Sequence, residues 1–203
     1  MIKSRYMVWI IEVVIMHDFF KNIESNPIIA SVNDLEQLQA AINSPCNNIF
    51  LLAGNIFNLK EIAYKVKTKQ KGLYIQVDLI DGFSKDTWGL EYIVKNIYPD
   101  GIITVKPNLV KMGKDLGAFI IYRAFVNNSI LLEKEIHSIK DYRPNVVEIL
   151  PGIMPKIIDK IHLETNIPVV ASGLIMDRED IDVCLNSKAI ALSTSNKDLW
   201  YSK

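Results

Sequence analysis

The stretch Asn145–Ala171, NVVEILPGIMPKIIDKIHLETNIPVVA, decides the fold. It opens with a short β-branched run (145–150), breaks at Pro151-Gly152, turns helical in period over 154–165, and closes on a second apolar run, PVVA, at 168–171. Pro155 stands near the first turn of the helical part, where a missing N–H costs nothing. Neither apolar run alternates strictly with polar residues, as expected of parallel strands covered on their outer face. The segment therefore reads as a β-α-β unit. Its one anomaly is Glu148, because a carboxylate does not enter an apolar interior without a partner or a purpose.

The same unit recurs along the chain. Further strand-like runs lie at 28–32 (IIASV), 49–53 (IFLLA), 73–78 (LYIQVD), 101–104 (GIIT), 118–123 (AFIIYR) and 188–192 (KAIAL). Between them, 33–43 places Leu35, Leu38 and Ile42 on one helical face behind an Asn33 or Asp34 cap. The stretch 58–70 does the same with Leu59, Ile62, Ala63 and Val66, and 177–187 begins at an Asp177 cap. Eight strands alternating with helices predict a (β/α)8 TIM-type barrel in α/β class, as one compact domain over residues 21–203. A doubly wound open sheet is the runner-up, and the absence of a G-x-G-x-x-G turn after the first strand counts against it.

Composition excludes several functions. The 203 residues carry 23 basic and 23 acidic side chains, so any nucleic acid must be held by a local patch rather than by net charge. Two cysteines, Cys46 and Cys184, without a C-x-x-C pair, and three scattered histidines leave nothing from which to build a zinc site; no metal is expected. Both cysteines read as reduced, buried thiols of a cytoplasmic protein. Residues 6–16, YMVWIIEVVIM, behind Lys3 and Arg5, imitate a signal-peptide core, yet the run is too short for a membrane span and lacks a small-residue cleavage site. Residues 1–20 are read as an N-terminal extension of open status, with translation starting at Met16 preferred over Met1.

In a barrel, chemistry comes from the carboxyl ends of the strands and the loops after them. Those positions here include Ser31, Asp78 and Asp81, Thr104 and Lys106, Arg123, Glu148 with Pro151 and Gly152, Ser172 and Gly173, and Ser193–Asn196. The loops ASGLIMD and ALSTSN follow strands seven and eight, the usual barrel phosphate site, where Gly173 admits an anion to the backbone and Ser193 and Thr194 offer hydroxyls. Lys106 and Arg123 supply positive charge, either to an anionic ligand or to Asp78 and Glu148 across the mouth. For Glu148 an ion pair with Arg123 and a hydrogen bond to a hydroxylated ligand both remain open. Lys60, Lys65, Lys67, Lys69 and Lys71 make a local basic stretch that reads as a solvated helix face.

These residues also carry a resemblance. VEILPGIMPKII, then IPVVASGLIMDREDI, then KAIALSTSNKDLW resemble the glycerol uptake operon antiterminator regulatory protein family, and NPIIASVND, LLAGNIFNLK, VDLIDG and YRAF follow its order. The resemblance spans residues 27 to 200. It implies a non-enzymatic barrel that responds to glycerol 3-phosphate and promotes read-through of a terminator in the leader mRNA of glycerol uptake and metabolism genes. Its implied partners are that mRNA and glycerol 3-phosphate as effector, with no cofactor, no membrane, and self-association into a homo-oligomer left open. Its implied ligand contacts are Ser172, Gly173, Ser193 and Thr194 for the phosphate, with Asp78, Lys106, Arg123, Glu148 and Gly152 as the polar wall. Ser172 stands where a second glycine is usual, Tyr122 where glutamine is common, and Ala124 where a larger apolar residue follows the arginine. The expectation is that these changes lie at the ligand mouth. No RNP-like aromatic strand, GXXG clamp or arginine-rich arm is legible, so RNA binding rests on the resemblance. Two other functions fit the same barrel: a phosphate-sugar isomerase or lyase using Asp78 with Lys106, and an inactive phosphate-binding scaffold.

Overall fold

In the computed structural model, which describes residues 18–202, eight parallel strands close into a barrel in sequence order. A helix over residues 18–25 (α1) leads into β1 (Ile28–Val32). Then follow α2 (Leu38–Asn43), β2 (Asn48–Leu51), α3 (Leu59–Lys67), β3 (Gly72–Gln76) and α4 (Thr87–Tyr92). The second half runs β4 (Gly101–Thr104), α5 (Pro107–Asp115), β5 (Ile120–Phe125), α6 (Ser129–Tyr142), β6 (Val146–Leu150) and α7 (Pro155–Thr165). It ends with β7 (Val169–Ser172), α8 (Arg178–Leu185), β8 (Ala189–Thr194) and a 3-10 turn at Lys197–Tyr201. The eight expected strands are all present. The apolar run 6–16 and the choice between Met1 and Met16 lie outside the described residues.

The strands have two buried faces, which is why their sequences show no surface alternation. Outward side chains such as Ile28, Ala30, Val147 and Ile149 pack under the helices in one large cluster. Inward side chains form a second cluster, with Ile29, Phe50, Ile103, Ile121, Val170 and Ala191 filling the barrel. Phe19 and Ile23 of α1 close its amino-terminal end. There the Phe19 ring meets Tyr74 at 5.0 Å and Phe119 at 5.1 Å between centroids. Rings in such tilted and edge-on contacts add to simple area burial.

Helix ends follow local chemistry. Asp34, Asp86, Asn128 and Asp177 each accept a backbone N–H at the start of the helical segment that follows, satisfying donors that would otherwise be orphaned. Pro107 and Pro155 occupy first-turn positions of α5 and α7. A fixed φ and a missing N–H suit both prolines to that position.

A polar layer at the barrel mouth

Inside the barrel, each step of two residues toward the carboxyl end changes the chemistry from apolar to polar. Ile29 gives way to Ser31, Tyr74 to Gln76, Ile121 to Arg123, Val146 to Glu148, Val170 to Ser172 and Ala191 to Ser193. The strand period of two puts each of these pairs on the same inner face. Register places Arg123 beside Glu148 and Ser172 beside Ser193.

The layer is one hydrogen-bonded network. Arg123 donates from Nε to Glu148 Oε2 at 2.6 Å and from Nη2 to Oε1 at 2.9 Å, a two-pronged ion pair. Its Nη1 donates across the barrel to Gln76 Oε1 at 2.5 Å. Ser193 Oγ donates to Glu148 Oε1 at 3.2 Å, and the Ser172 and Ser193 hydroxyls lie 3.3 Å apart. Since the Ser193 proton is engaged with Glu148, Ser172 is the donor of that pair. Glu148 is 0% and Arg123 5% exposed. A carboxylate is tolerated in this strand because a guanidinium on the next strand offers it two charge-assisted bonds. Of the two purposes open for Glu148, the structure carries the ion pair.

Above the network lies a cavity of about 210 Å³. Its lining includes Ser31, Asn33, Arg123, Ser172, Gly173, Ser193 and Thr194. A guanidinium has five N–H donors and three are used below, so two remain for the cavity. Thr194 Oγ1 accepts from Asn196 N at 3.1 Å, which leaves its own O–H free to donate. Gly173 has φ +76°, a backbone state that a side chain would strain, and Leu174 follows at φ +59°. Two successive left-handed residues bend the loop over the opening. The short final helix is a 3-10 turn whose start is already capped by Asn196 on Asp198 N, so it adds little to an anion site.

The remaining expected contacts stand elsewhere. Gly152 packs against β7: a Cβ there would sit 2.5 Å from Ser172 N, and its own N–H is donated to Gly173 O at 3.1 Å. It thus shapes the loop and has no free donor. Asp78 lies past the end of β3, in a 3-10 turn at Val77–Leu79. Its Oδ2 accepts from Val105 N at 2.8 Å, while Oδ1 is buried without a hydrogen-bond partner. Lys106 is the residue before α5, half-buried, and its amine has no carboxylate partner among the described residues. Asp78 and Lys106 therefore form no ion pair, and neither lines the cavity. Tyr122 and Ala124, expected at the mouth, face outward: the Tyr122 hydroxyl donates to Glu135 Oε2 of α6 at 2.7 Å, and Ala124 joins the layer under the helices. They flank Arg123 in sequence and so must point the other way. Burial and the Glu135 contact push the Tyr122 hydroxyl well above the ordinary phenol range.

Sequence reasoning passed over Gln76, although it is a polar residue inside an apolar strand, the same signal that flagged Glu148. It named Ser31 among the strand ends without giving it a role, and read Asn33 as a helix cap. The buried thiols are inert packing. Cys184 Sγ donates to Gly152 O at 3.3 Å, and burial raises it to about 11. Burial likewise raises Cys46. Among the described residues no cluster of His, Cys, Asp and Glu is arranged to share a metal ion, and no helix is long and apolar enough to cross a membrane.

A closed parallel barrel with hydroxyl-bearing loops after its last two strands defines a TIM-type barrel with a polar mouth. Comparison with known proteins narrows this further: residues 28–200 match the glycerol-3-phosphate responsive antiterminators, and the chain belongs to that family. A solved glycerol uptake operon antiterminator regulatory protein from Listeria monocytogenes is 28% identical, with a TM-score of 0.84 over 88% of this chain and 96% of that one. A solved glycerol uptake operon antiterminator-related protein from Thermotoga maritima is 30% identical, with a TM-score of 0.75 over 85% of this chain and 96% of that one. The uncharacterized protein YgcP of Escherichia coli is 35% identical over 88% of this chain and 93% of its own length.

Proposed function

We propose that glycerol 3-phosphate binds in the mouth cavity as an effector, and that the liganded barrel binds leader mRNA of glycerol genes and permits read-through of a terminator. The observation that carries this reading is Arg123. Its guanidinium is pinned by Glu148 and Gln76, keeps two N–H groups outside those bonds, and lines a cavity whose other walls include the Gly173 and Thr194 loops. A phosphate accepts from those N–H groups, from the Thr194 hydroxyl and from loop backbone. Ser172 and Ser193 then act by holding Glu148 and hence Arg123, with their own protons already committed. Asp78 stands outside the cavity lining, but its unmet Oδ1 is the acceptor assigned to a ligand hydroxyl in this reading, since a buried acceptor without a donor costs about 1–3 kcal/mol. The reading is of a cytoplasmic regulator that needs no cofactor.

A regulator rather than a catalyst is favoured by the state of the acid and basic groups. Glu148 is locked in its ion pair, and the Asp78–Lys106 pair that an isomerase or Schiff-base lyase needs is not formed. Two measurements test the proposal. Calorimetric titration with glycerol 3-phosphate should give one site per chain, lost in Arg123→Lys, which keeps charge but not the forked geometry. Leader RNA should bind more tightly with ligand than without it at fixed salt, because only differential affinity shifts an equilibrium. Turnover of a phosphate-sugar without RNA binding would replace this reading by the enzymatic one.

A further inference from the structure

The outer face of α3 and α4 differs from the rest of the helical layer. Tyr64 on α3 is 71% exposed, Trp88 on α4 is 78% exposed, and Tyr98 just beyond is 66% exposed. Around them stand lysines. Within 59–71 there are five lysines and a single acid, Glu61; Lys71 is turned away to the Ser44 and Cys46 carbonyls, which leaves Lys60, Lys65, Lys67 and Lys69. Helical spacing sets Lys60 four residues before Tyr64 and Lys67 three after it, so the ring lies between two ammonium groups along one stripe. Lys60 and Lys69 have no acidic partner among the described residues. Lys65–Glu61 and Lys67–Asp100 are exposed pairs at 2.6 and 3.2 Å, of the kind that contribute little and exchange readily for another anion.

The backbone supports the same face. After α4 the chain makes a π-type turn at Ile93–Ile97 and ends it with Tyr98 at φ 55°, a left-handed state that is uncommon for a bulky side chain. That state stands Tyr98 over a groove of about 630 Å³ that also includes Lys67 and Lys95. The turn packs against α3, so the two helices share one surface. Nothing of this kind exists on α6–α8, whose exposed apolar residues are the aliphatic Ile130, Leu163 and Val183.

We infer that this face is the RNA-binding surface: single-stranded leader RNA stacks bases on Tyr64, Trp88 and Tyr98 while Lys60, Lys67 and Lys69 take its phosphates. Exposed aromatic rings interleaved with cations are the chemistry by which single strands are held. The local excess of lysine supplies attraction that a net charge of zero denies to the rest of the surface. The inference rests on the antiterminator reading above and adds a place to it. That place is physically joined to the mouth. The loops that start α3 and α4 are bonded to one another, Asp81 N to Gly54 O at 3.0 Å and Ile56 N to Asp81 O at 3.0 Å, and Asp78 sits in the second of them. A ligand that moves Asp78 acts on both helices at their first turns.

The test is fluorescence anisotropy with labelled leader RNA from upstream of a glycerol gene, with and without glycerol 3-phosphate. The variants are Tyr64→Ala/Trp88→Ala/Tyr98→Ala and Lys60→Ala/Lys69→Ala, with Lys156→Ala on α7 and Lys188→Ala in the turn before β8 as a paired reference. The aromatic triple variant should bind RNA at least a hundredfold more weakly, since each stacked base contributes tenfold or so. The lysine pair should lower the salt slope by about 1.4, at 0.7 per lost phosphate contact on a single strand. RNA should quench emission from Trp88, read as the part of the quench lost in Trp88→Phe, in which Trp9 and the buried Trp200 still emit. All variants should keep wild-type glycerol 3-phosphate affinity, which shows that they fold. If wild type binds RNA and the triple variant binds it within twofold, the surface is wrong and the antiterminator reading stands. If wild type binds no RNA in either state, both fall. Unchanged RNA binding with an altered sedimentation coefficient makes the face a contact between copies and overturns the inference.

Discussion

The two ends of the barrel interior are built on the same strands in the same register, yet they do opposite things. At the amino-terminal end Phe19, Tyr74 and Phe119 pack ring against ring and plug the barrel. Two residues further along the strands, Gln76, Arg123, Glu148, Ser172 and Ser193 share five hydrogen bonds under an open cavity. The comparison teaches that stability and recognition have been separated by one pleat. A substitution at the bottom should be felt by the fold alone, whereas one at the mouth should be felt by ligand and, where it breaks the buried pair, by the fold as well.

The sharpest way to break this contrast is Arg123→Ala. It strands a fully buried carboxylate, so unfolding free energy should fall by about 3–5 kcal/mol and glycerol 3-phosphate binding should disappear. Chemical denaturation and calorimetry read the two effects. Replacing both partners, as Arg123→Met/Glu148→Leu, should restore most of the stability and none of the binding. If that double variant binds ligand normally, the mouth is not the site.

At the other end, Phe119→Ala should cost about 3–5 kcal/mol through lost burial and the cavity left behind. Ligand affinity should stay within twofold, measured below the new melting temperature. A large loss of affinity would mean that the two layers are mechanically one unit. Thr194→Ala should do the reverse on a smaller scale: ligand affinity falls roughly tenfold, the worth of one hydrogen bond to a charged group, and stability changes by less than about 1 kcal/mol.

The smallest effect concerns pH. Cys184 is raised from 9.0 to about 11 by burial, and Cys46 and Tyr122 are also raised. Between pH 9 and 11 the unfolded chain loses the Cys184 proton and the folded chain keeps it. The stability tied to that proton is therefore intact below pH 9 and declines as pH rises through 11. Melting temperature should fall across that window, and Cys184→Ala should flatten part of the decline. In native protein at pH 8 the thiol should react with iodoacetamide far more slowly than in denaturant.

Much of this molecule was legible beforehand, and the reason is local. The β-α-β reading of 145–171 needed only the change from an apolar run to helical period, and eight such strands favoured the closed barrel that the structure has. Glu148 and Arg123 were visible because charge in an apolar strand is costly. Gln76 carries the same kind of signal more faintly, being polar without charge, and it was passed over. Tyr122 and Ala124 were misplaced although strand alternation alone puts them on the opposite face from Arg123. Gly152 was readable as a special residue, but whether its freedom served a ligand or a neighbouring backbone depended on how near β7 lies.

By itself the sequence determined the element order, the barrel, the two faces of each strand and the polar character of the mouth, since these follow from residue period and from the cost of burying charge. The family, too, was legible in the runs after Val147. Tertiary structure alone decided the partners: that Arg123 grips Glu148 rather than Asp78, that Ser172 and Ser193 support the pair, and that Lys106 stands apart. It also decided that Tyr98 and Lys67, from separate stretches of chain, line one groove. Contacts between strands and helices distant in sequence depend on register and packing across the barrel, and no local pattern encodes those distances.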